Sequence, residues 1–319
     1  EQSGQDLNNY QIELSVDTES LIQQGKMQTE CGDMRFANSS DNKLDHWIQD
    51  GCNTTSTKVW VQMNNLEASE KEKIYMYYGN SGSSSSSDPK AVWQKYVNFS
   101  DGVQSAYGSQ DADQSSYEIL DNGRTLHMWG NTWKRVDYDF TSDSMTALMY
   151  SFKSENNEPE INGVGFDSND QIDNDGWGTG ERHWVIYGNQ NWGEYIRDYS
   201  SGWENRTFRP VDYGVEGETY SNIIFDNDND DNVNTDAYYK DVRVGKEASS
   251  PPTTSIGVEN KQGFCDRRGL IKECIVDSDK DISGTNRGVQ NVFISESGAS
   301  FTALTSQATV SIFNKTFLS

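Results

Sequence analysis

Five short runs of alternating apolar and polar residues lie between residues 10 and 80, and they restrict what this chain can fold into. The runs are YQIELSV, CGDMRF, DHWIQDGC, KVWVQM and KIYMYYGN. Alternation with a period of two places one set of side chains on a buried face and the other on a solvent-facing one. Several such strands separated by turn-forming residues are typical of a sandwich or barrel. The sequence therefore predicts an all-β fold.

The rest of the chain continues this pattern as further modules. The serine tract SGSSSSSDPK, residues 81–90, has the composition of a flexible linker. Short runs between TLHMWG and YYKDVRV then predict a jelly roll. We expect tandem modules: a β-sandwich at residues 1–80 with a returning strand near 253–260, a jelly-roll or lectin-like module at 91–247, and a small disulfide-containing β unit at 261–319 that ends inside a predicted strand.

The first module resembles the family called domain of unknown function 2341, or DUF2341, over residues 7–80. The resemblance implies an extracellular β-sandwich module of archaeal and bacterial surface proteins, often followed by a jelly roll, and it implies no enzyme activity. An N-terminal strand usual in the family is absent, which predicts a fragment or a strand supplied from elsewhere. The residues that carry the resemblance are Leu7, Tyr10 to Ile12, Cys31 to Phe36, Trp47, Ile48, Cys52 to Thr54, Lys58 to Val61 and Ile74 to Asn80.

The chain is strongly acidic, with 50 Asp and Glu against 26 Lys and Arg and a net charge of -24. Nucleic acids and anionic membrane surfaces are bound by Lys and Arg clusters, so this balance argues against both as partners. Two explanations remain open: a salt-tolerant surface of a halophilic protein, and binding of divalent cations. The sequence contains no apolar run of 18 residues, which argues against a transmembrane span in this chain.

The four cysteines allow three disulfide pairings. We favour local bonds, Cys31 with Cys52 and Cys265 with Cys274, because each pair then lies within one predicted module; four reduced thiols are the alternative. Disulfides predict an extracellular location at the cell surface. Acceptor sequences for N-glycosylation lie in predicted loops or at strand ends, at Asn38, Asn53, Asn98, Asn205 and Asn314.

The segment FDNDNDDNVNTDAYYKDVRV is rich in the hard oxygen ligands that suit Ca²⁺. It lacks the glycine of an EF-hand loop. Its likeness to the calcium loop of jelly-roll sugar-binding modules points to Asp226, Asp228 and Asp241 as ligands, and a solvated acidic loop is the alternative. Sugar binding needs exposed flat aromatic rings, for which Trp177, Trp192 and Trp203 are candidates, with core packing as the alternative.

No catalytic motif is recognisable: the three histidines are isolated, and no phosphate-binding loop occurs. We therefore predict a non-enzymatic extracellular protein, a self-associating subunit of a cell-surface filament, surface layer or adhesin, assembled from glycosylated β modules. Its subunits would pair strands with each other through residues 10–16 and 309–317. The alternative is a calcium-dependent carbohydrate-binding module protein with a glycan ligand, attached to a larger enzyme.

Overall fold

The computed structural model describes residues 6–68, 70–172, 176–178, 180–230, 233–261 and 288–295, and these residues are almost entirely strands and turns. The all-β prediction is confirmed. The chain divides into two compact units, residues 1–92 with 248–319, and residues 93–247.

The helices are α1 (Thr18–Gln23) and α2 (Pro89–Val92), with 3-10 turns at Phe99–Asp101, Gly108–Gln110, Asp121–Gly123 and Pro210–Tyr213. The strands are β1 (Leu7–Val16), β2 (Arg35–Asn38), β3 (Lys43–Leu44), β4 (His46–Asp50), β5 (Thr57–Leu66), β6 (Lys71–Tyr78), β7 (Lys95–Tyr96), β8 (Gln104–Ser105), β9 (Tyr117–Leu120), β10 (Thr125–Trp129), β11 (Thr132–Thr141), β12 (Thr146–Asn156), β13 (Ile161–Asp167), β14 (Glu181–Tyr187), β15 (Glu194–Tyr195), β16 (Glu204–Phe208), β17 (Thr219–Asp228), β18 (Thr235–Lys246), β19 (Thr253–Lys261) and β20 (Gly288–Ser295).

The first unit contains two sheets, with strand orders β1-β5-β4 and β19-β20-β6-β2-β3. Their alternating apolar positions are buried as the pattern predicts: Ile12, Val59, Val61, Ile74 and Met76 are at most 2% exposed. Each such side chain contributes about 1.5–3 kcal/mol to folding through its burial. Strand β20 pairs along β6 and β19, so part of the predicted C-terminal unit belongs to the first unit.

Turns and the disulfide fix the loops of this unit. The Asp17 carboxylate accepts a hydrogen bond from the Ser20 N–H, 3.0 Å away, and caps α1. Cys31 and Cys52 form a disulfide with a Cα–Cα distance of 6.0 Å, which confirms that predicted pair. Cys265 and Cys274 lie outside the described residues.

The serine tract differs from the free linker that its composition predicts. Arg35 donates to the Ser84 carbonyl, and the Ser87 hydroxyl accepts from the N–H of Ile48 at 2.8 Å. The Asp88 N–H donates to the carbonyl of His46. These contacts attach residues 84–88 to the first unit.

Of the two segments predicted to pair between subunits, the structure describes only the first. Strand β1 pairs antiparallel with β5 from Leu7 to Val16 within the chain. The other predicted segment, residues 309–317, lies outside the part of the chain that the structure describes.

The second unit is built from two six-stranded sheets. The β18 sheet has the order β16-β12-β18-β10-β9, with β7 also paired to β18; the β17 sheet has the order β15-β14-β13-β17-β11-β8. Between them lies an aromatic core that includes Phe166, Trp184, Phe225 and Tyr239, all 0% exposed. Phe166 and Trp184 meet edge to face, with centroids 5.8 Å apart.

A second apolar cluster covers the other face of the β17 sheet. It contains Tyr107, Trp133 and Trp192, the last packed edge to face on Trp133 with centroids 5.4 Å apart. Ile224 belongs to this cluster whereas its neighbours Ile223 and Phe225 belong to the main core, as alternation along β17 requires. The β17 sheet is thus buried on both faces, whereas the outward face of the β18 sheet is half-buried at Asp236, Tyr238 and Lys240.

Candidate functional site

The outward face of the β18 sheet carries aromatic rings where a sandwich usually carries small polar residues. His127 on β10 is the register partner of Tyr238 on β18, and Tyr238 is the partner of Lys153 on β12. Trp203 lies directly before β16, whose first residue is the partner of Phe152. Trp129 follows His127 by two positions on the same face. We refer to Trp129, His127, Tyr238 and Trp203 as the aromatic row.

The rings of the row contact one another. His127 stacks flat on Tyr238, with centroids 4.0 Å apart and planes 3° apart. Trp129 lies 5.1 Å from His127, and Trp203 meets Tyr238 nearly edge to face at 6.1 Å. Trp203 is 46% exposed, among the most exposed large apolar side chains of the described residues. Trp203 is therefore the exposed ring of the row, whereas Trp129, His127 and Tyr238 are half-buried.

Carboxylates hold the central imidazole in place. Its Nδ1 lies 2.8 Å from Glu118 of β9, and its Nε2 lies 2.8 Å from Asp236 of β18. Two carboxylates thus fix the orientation of the His127 ring at the centre of the row.

The second half of the row is flanked by lysines. Lys153 Nζ lies 4.0 Å from the Tyr238 ring centroid and 5.3 Å from that of Trp203, and Lys240 Nζ lies 5.6 Å from Trp203. Cations at these distances are attracted by the ring faces. Lys153 also pairs with Glu155 at 2.7 Å.

Tyr238 is fixed through its hydroxyl, which donates to Glu155 at 3.0 Å. Burial, followed by this hydrogen bond, raises the pKa of Tyr238, so the phenol keeps its proton. The hydrogen bonds from Lys153 and Tyr238 lower the pKa of Glu155, which is accordingly a carboxylate at neutral pH. The polar neighbours of the row are thus engaged in orienting its rings.

Of the three tryptophans predicted for sugar binding, Trp203 alone joins the row. Trp192 is 8% exposed and packs on Trp133 and His183, with centroids 5.4 and 4.7 Å away. Trp177 packs on the core through Trp184 at 5.7 Å. These two are packed as the core alternative describes.

The three predicted calcium ligands have separate partners. Asp241 forms a bidentate pair with Arg124, at 2.6 and 2.7 Å. Asp226 lies 2.6 Å from His183 Nε2, and Asp228 accepts from the indole N–H of Trp133 at 3.0 Å. Among the described residues no group of three or more His, Cys, Asp or Glu is arranged to hold a metal. Calcium binding by these three aspartates stays a prediction.

The glycosylation acceptors are dispersed. Asn53 is exposed, and Asn38 and Asn98 are half-buried, with side chains that accept from the backbone N–H of Ser40 and Ser100. Asn205 is exposed on β16 and accepts from the Ser151 hydroxyl at 2.7 Å. Asn314 lies outside the described residues. Glycosylation at these positions stays a prediction.

A buried polar cluster lies under the second apolar cluster, on the face of the β17 sheet away from the row. His183 and Asp226 are 0% exposed there, and Tyr107 donates to Glu181 at 2.8 Å. A Cβ on Gly163 would lie 2.2 Å from His183 Nε2, so only glycine leaves space for this imidazole. The cluster is enclosed and holds the sheet to its covering loops.

The sequence analysis missed Trp129, His127 and Tyr238. Their outward alternation in TLHMW and TDAYYK was the available signal. What it did not reveal is that residues more than a hundred positions apart become register partners.

Residues 30–114 match the model of the family described as Domain of unknown function, DUF2341. This confirms the resemblance inferred from residues 7–80, with different limits. The match includes the disulfide and continues past the serine tract into the second unit. No curated protein matches the chain.

Several solved structures share strand arrangements with parts of the chain. A family 30 carbohydrate binding module is 12% identical, with a TM-score of 0.25 over 41% of this chain and 88% of its own. The module TmCBM61, solved with β-1,4-galactotriose, is 11% identical, with a TM-score of 0.23 over 54% and 88%. A surface glycan-binding protein from Prevotella bryantii is 12% identical, with a TM-score of 0.24 over 67% and 69%. Every TM-score lies below 0.5, so no ligand or site of these proteins is transferred to this chain.

Proposed function

We propose that this chain is an extracellular glycan-binding protein and that the aromatic row of the β18 sheet is its binding face. The observation that carries the proposal is the run of contacting rings from Trp129 through His127 and Tyr238 to Trp203, the last of which is 46% exposed. Carbohydrate binding, which was the alternative in the sequence analysis, is therefore proposed ahead of the filament or adhesin function.

The physics of sugar recognition fits such a surface. A pyranose ring has an apolar face of C–H groups that packs on an aromatic ring, and hydroxyls at its edge that need polar partners. Here Trp203, which is 46% exposed, supplies the ring surface, and Lys153, Lys240 and Glu155 supply polar groups near it. A sugar resting on the row would therefore find both kinds of contact.

The dimensions suit an extended chain of sugars. From β10 through β18 and β12 to β16 there are three interstrand steps, which at about 4.8 Å each span roughly 14 Å. That length accommodates roughly three pyranose rings. Because hydrogen bonds and stacking already fix the rings, binding requires little further ordering of side chains, which favours affinity.

The carboxylates near the row are better suited to positioning than to catalysis. Glycoside hydrolysis needs a general acid whose pKa is raised, opposed to a second carboxylate. The pKa of Glu155 is instead lowered, and Glu118 and Asp236 both face the His127 imidazole. We accordingly propose a non-catalytic role.

An extracellular location accords with the Cys31–Cys52 disulfide, since such bonds persist in oxidising compartments. No helix within the described ranges has the length and apolar character to cross a membrane.

The test is affinity electrophoresis of the full chain in gels containing barley β-glucan, xyloglucan, β-1,4-galactan or polygalacturonate. We expect at least one neutral polymer to retard the wild type, and Trp203→Ala and Tyr238→Ala each to reduce that retardation at least tenfold. Tyr195→Ala is the matched control, because Tyr195 is a 45% exposed aromatic on β15 of the other sheet. Equal retardation of all variants would overturn the assignment of the row.

The filament, surface-layer or adhesin prediction remains as a second candidate, although no contact among the described residues carries it. Electron microscopy of the protein with and without a calcium chelator tests it. Regular fibres that disperse on chelation would support self-association through calcium, and single particles in both conditions would contradict it.

A further inference from the structure

At the Trp129 end, the aromatic row runs into a cavity of about 270 Å³. It is lined by seven residues from three stretches of the chain: Asp113, Trp129, Gly130, Asn229, Val233, Asn234 and Thr235. Trp129 belongs both to the row and to the lining of the cavity. The volume is below the roughly 300–1,000 Å³ of pockets for drug-sized ligands, which limits its content to one or two sugar rings.

The Asp113 carboxylate in the lining of the cavity is held by the backbone next to Trp129. One carboxylate oxygen of Asp113 accepts from the Asn131 N–H at 2.8 Å. A Cβ on Gly130 would lie 2.5 Å from that same oxygen, and Gly130 has a φ of +67°. The glycine therefore allows the Asp113 carboxylate to lie close to the backbone beside Trp129.

The chemistry of the lining indicates the class of ligand. Trp129 offers a flat apolar wall, and Val233, 42% exposed, offers a second apolar surface. Asp113 and Asn234 offer acceptors and donors for hydroxyl groups. A uronate would bring its negative charge to the Asp113 carboxylate in a protein of net charge -24, so a neutral sugar is favoured.

We propose that this cavity holds the terminal neutral sugar of a glycan whose following residues lie along the aromatic row. The inference rests on the proposed function of the row and deepens it: the protein recognises chain ends rather than chain interiors. The number of molecules bound to a polymer then follows the number of its ends.

The experiment uses the full chain and the neutral polymer among barley β-glucan, xyloglucan and β-1,4-galactan that retards it in the gel. The polymer is cut to progressively shorter lengths with an endo-acting hydrolase, and calorimetry measures the sites per unit mass. We expect the sites to rise in proportion to the chain ends. Sites that stay constant or fall would overturn end recognition while leaving the row in place.

Two variants separate the cavity from the row. Val233→Trp fills the cavity from an exposed position and should lower affinity for the trisaccharide of that polymer at least tenfold. Ile119→Trp is the matched control, since Ile119 is 37% exposed on β9 and does not line the cavity. If Val233→Trp is unfolded by circular dichroism, Asn234→Trp replaces it. Unchanged affinity in the folded variant would overturn the cavity assignment, and a wild type bound by no neutral polymer would overturn the proposed function as well.

Discussion

The imidazole of His127 lies flat on the phenol ring of Tyr238, with centroids 4.0 Å and planes 3° apart. The two residues are 111 positions apart and become neighbours because β10 pairs with β18. Their stack is the middle of the aromatic row, and two carboxylates at 2.8 Å fix the imidazole.

The first prediction concerns this stack. His127→Ala removes the ring on which Tyr238 rests, and aromatic pairs contribute about 0.5–1.5 kcal/mol beyond their burial. We expect a three- to tenfold loss of affinity for the retained neutral polymer, measured by calorimetry. Tyr238→Phe is the control: it keeps the ring and removes only the hydrogen bond to Glu155, so its affinity should stay within about twofold of wild type. A larger loss of affinity for Tyr238→Phe than for His127→Ala would contradict the role of the stack.

The second prediction concerns the buried ion pair of Lys134 and Asp111, whose Nζ and Oδ2 lie 2.5 Å apart and whose side chains are at most 2% exposed. Breaking a buried pair by removing one partner costs about 3–5 kcal/mol. Asp111→Asn should lower the free energy of unfolding of the second unit by about that amount in urea titrations. Asp137→Asn, which breaks the exposed pair with Arg135, should cost less than about 1 kcal/mol. Equal effects of the two variants would show that burial of the pair is unimportant.

The third prediction is a pH dependence at Asp228. Burial, partly offset by the hydrogen bond from Trp133, raises the pKa of Asp228 to about 7. The folded chain then holds a proton that the unfolded chain releases near pH 4, so this group's contribution to stability is lost as pH rises from about 4 to 7. Asp228→Asn keeps an acceptor for the Trp133 indole and should flatten the decline between about pH 4 and 7, measured by thermal unfolding. A variant that declines as steeply as wild type would contradict this assignment.

The fourth prediction has the opposite sign and lies in the first unit. Burial, followed by the charges of Arg35 and Lys43, lowers the pKa of His46 to about 3. As pH falls below about 6.5, His46 binds a proton in the unfolded chain but stays neutral in the folded chain. The contribution of His46 to the free energy of unfolding is therefore present above about pH 6.5 and is lost as pH falls towards 3. His46→Gln, which stays neutral, should reduce the acid sensitivity of this unit in hydrogen-exchange measurements from pH 7 to 4. If the stability of the His46→Gln variant falls with pH as steeply as that of the wild type, other groups cause the acid sensitivity.

Much of the second unit could be predicted from alternation. The runs TLHMW, TALMYSF and YYKDVRV belong to β10, β12 and β18, and their core-facing residues, such as Leu126, Phe152 and Tyr239, are buried. Strand β16 was missed because ENRTF has few apolar residues. It forms because its backbone pairs with β12, and its position is what brings Trp203 beside Lys153.

The candidate site was predicted less well, for two physical reasons. Exposure of a tryptophan depends on distant partners: Gly176 leaves space for the Trp192 ring, whose Cε2 would lie 2.7 Å from a Cβ at that position. The role of an aspartate depends on which cation the fold brings to it. Asp241, predicted as a calcium ligand, lies in the left-handed region at φ +53° and pairs with Arg124, 117 residues earlier in the chain.

The most direct test of the glycan-binding face is NMR observation of the tryptophan indole N–H signals of the full chain during titration with the retained neutral polymer's trisaccharide. Single Trp→Phe variants assign the signals. We expect saturable shifts of the Trp129 and Trp203 signals, whereas the signals of the buried Trp133 and Trp184 should change little. Shifts confined to other tryptophans, or none for Trp129 and Trp203 under conditions where the wild type binds, would contradict glycan binding at this face.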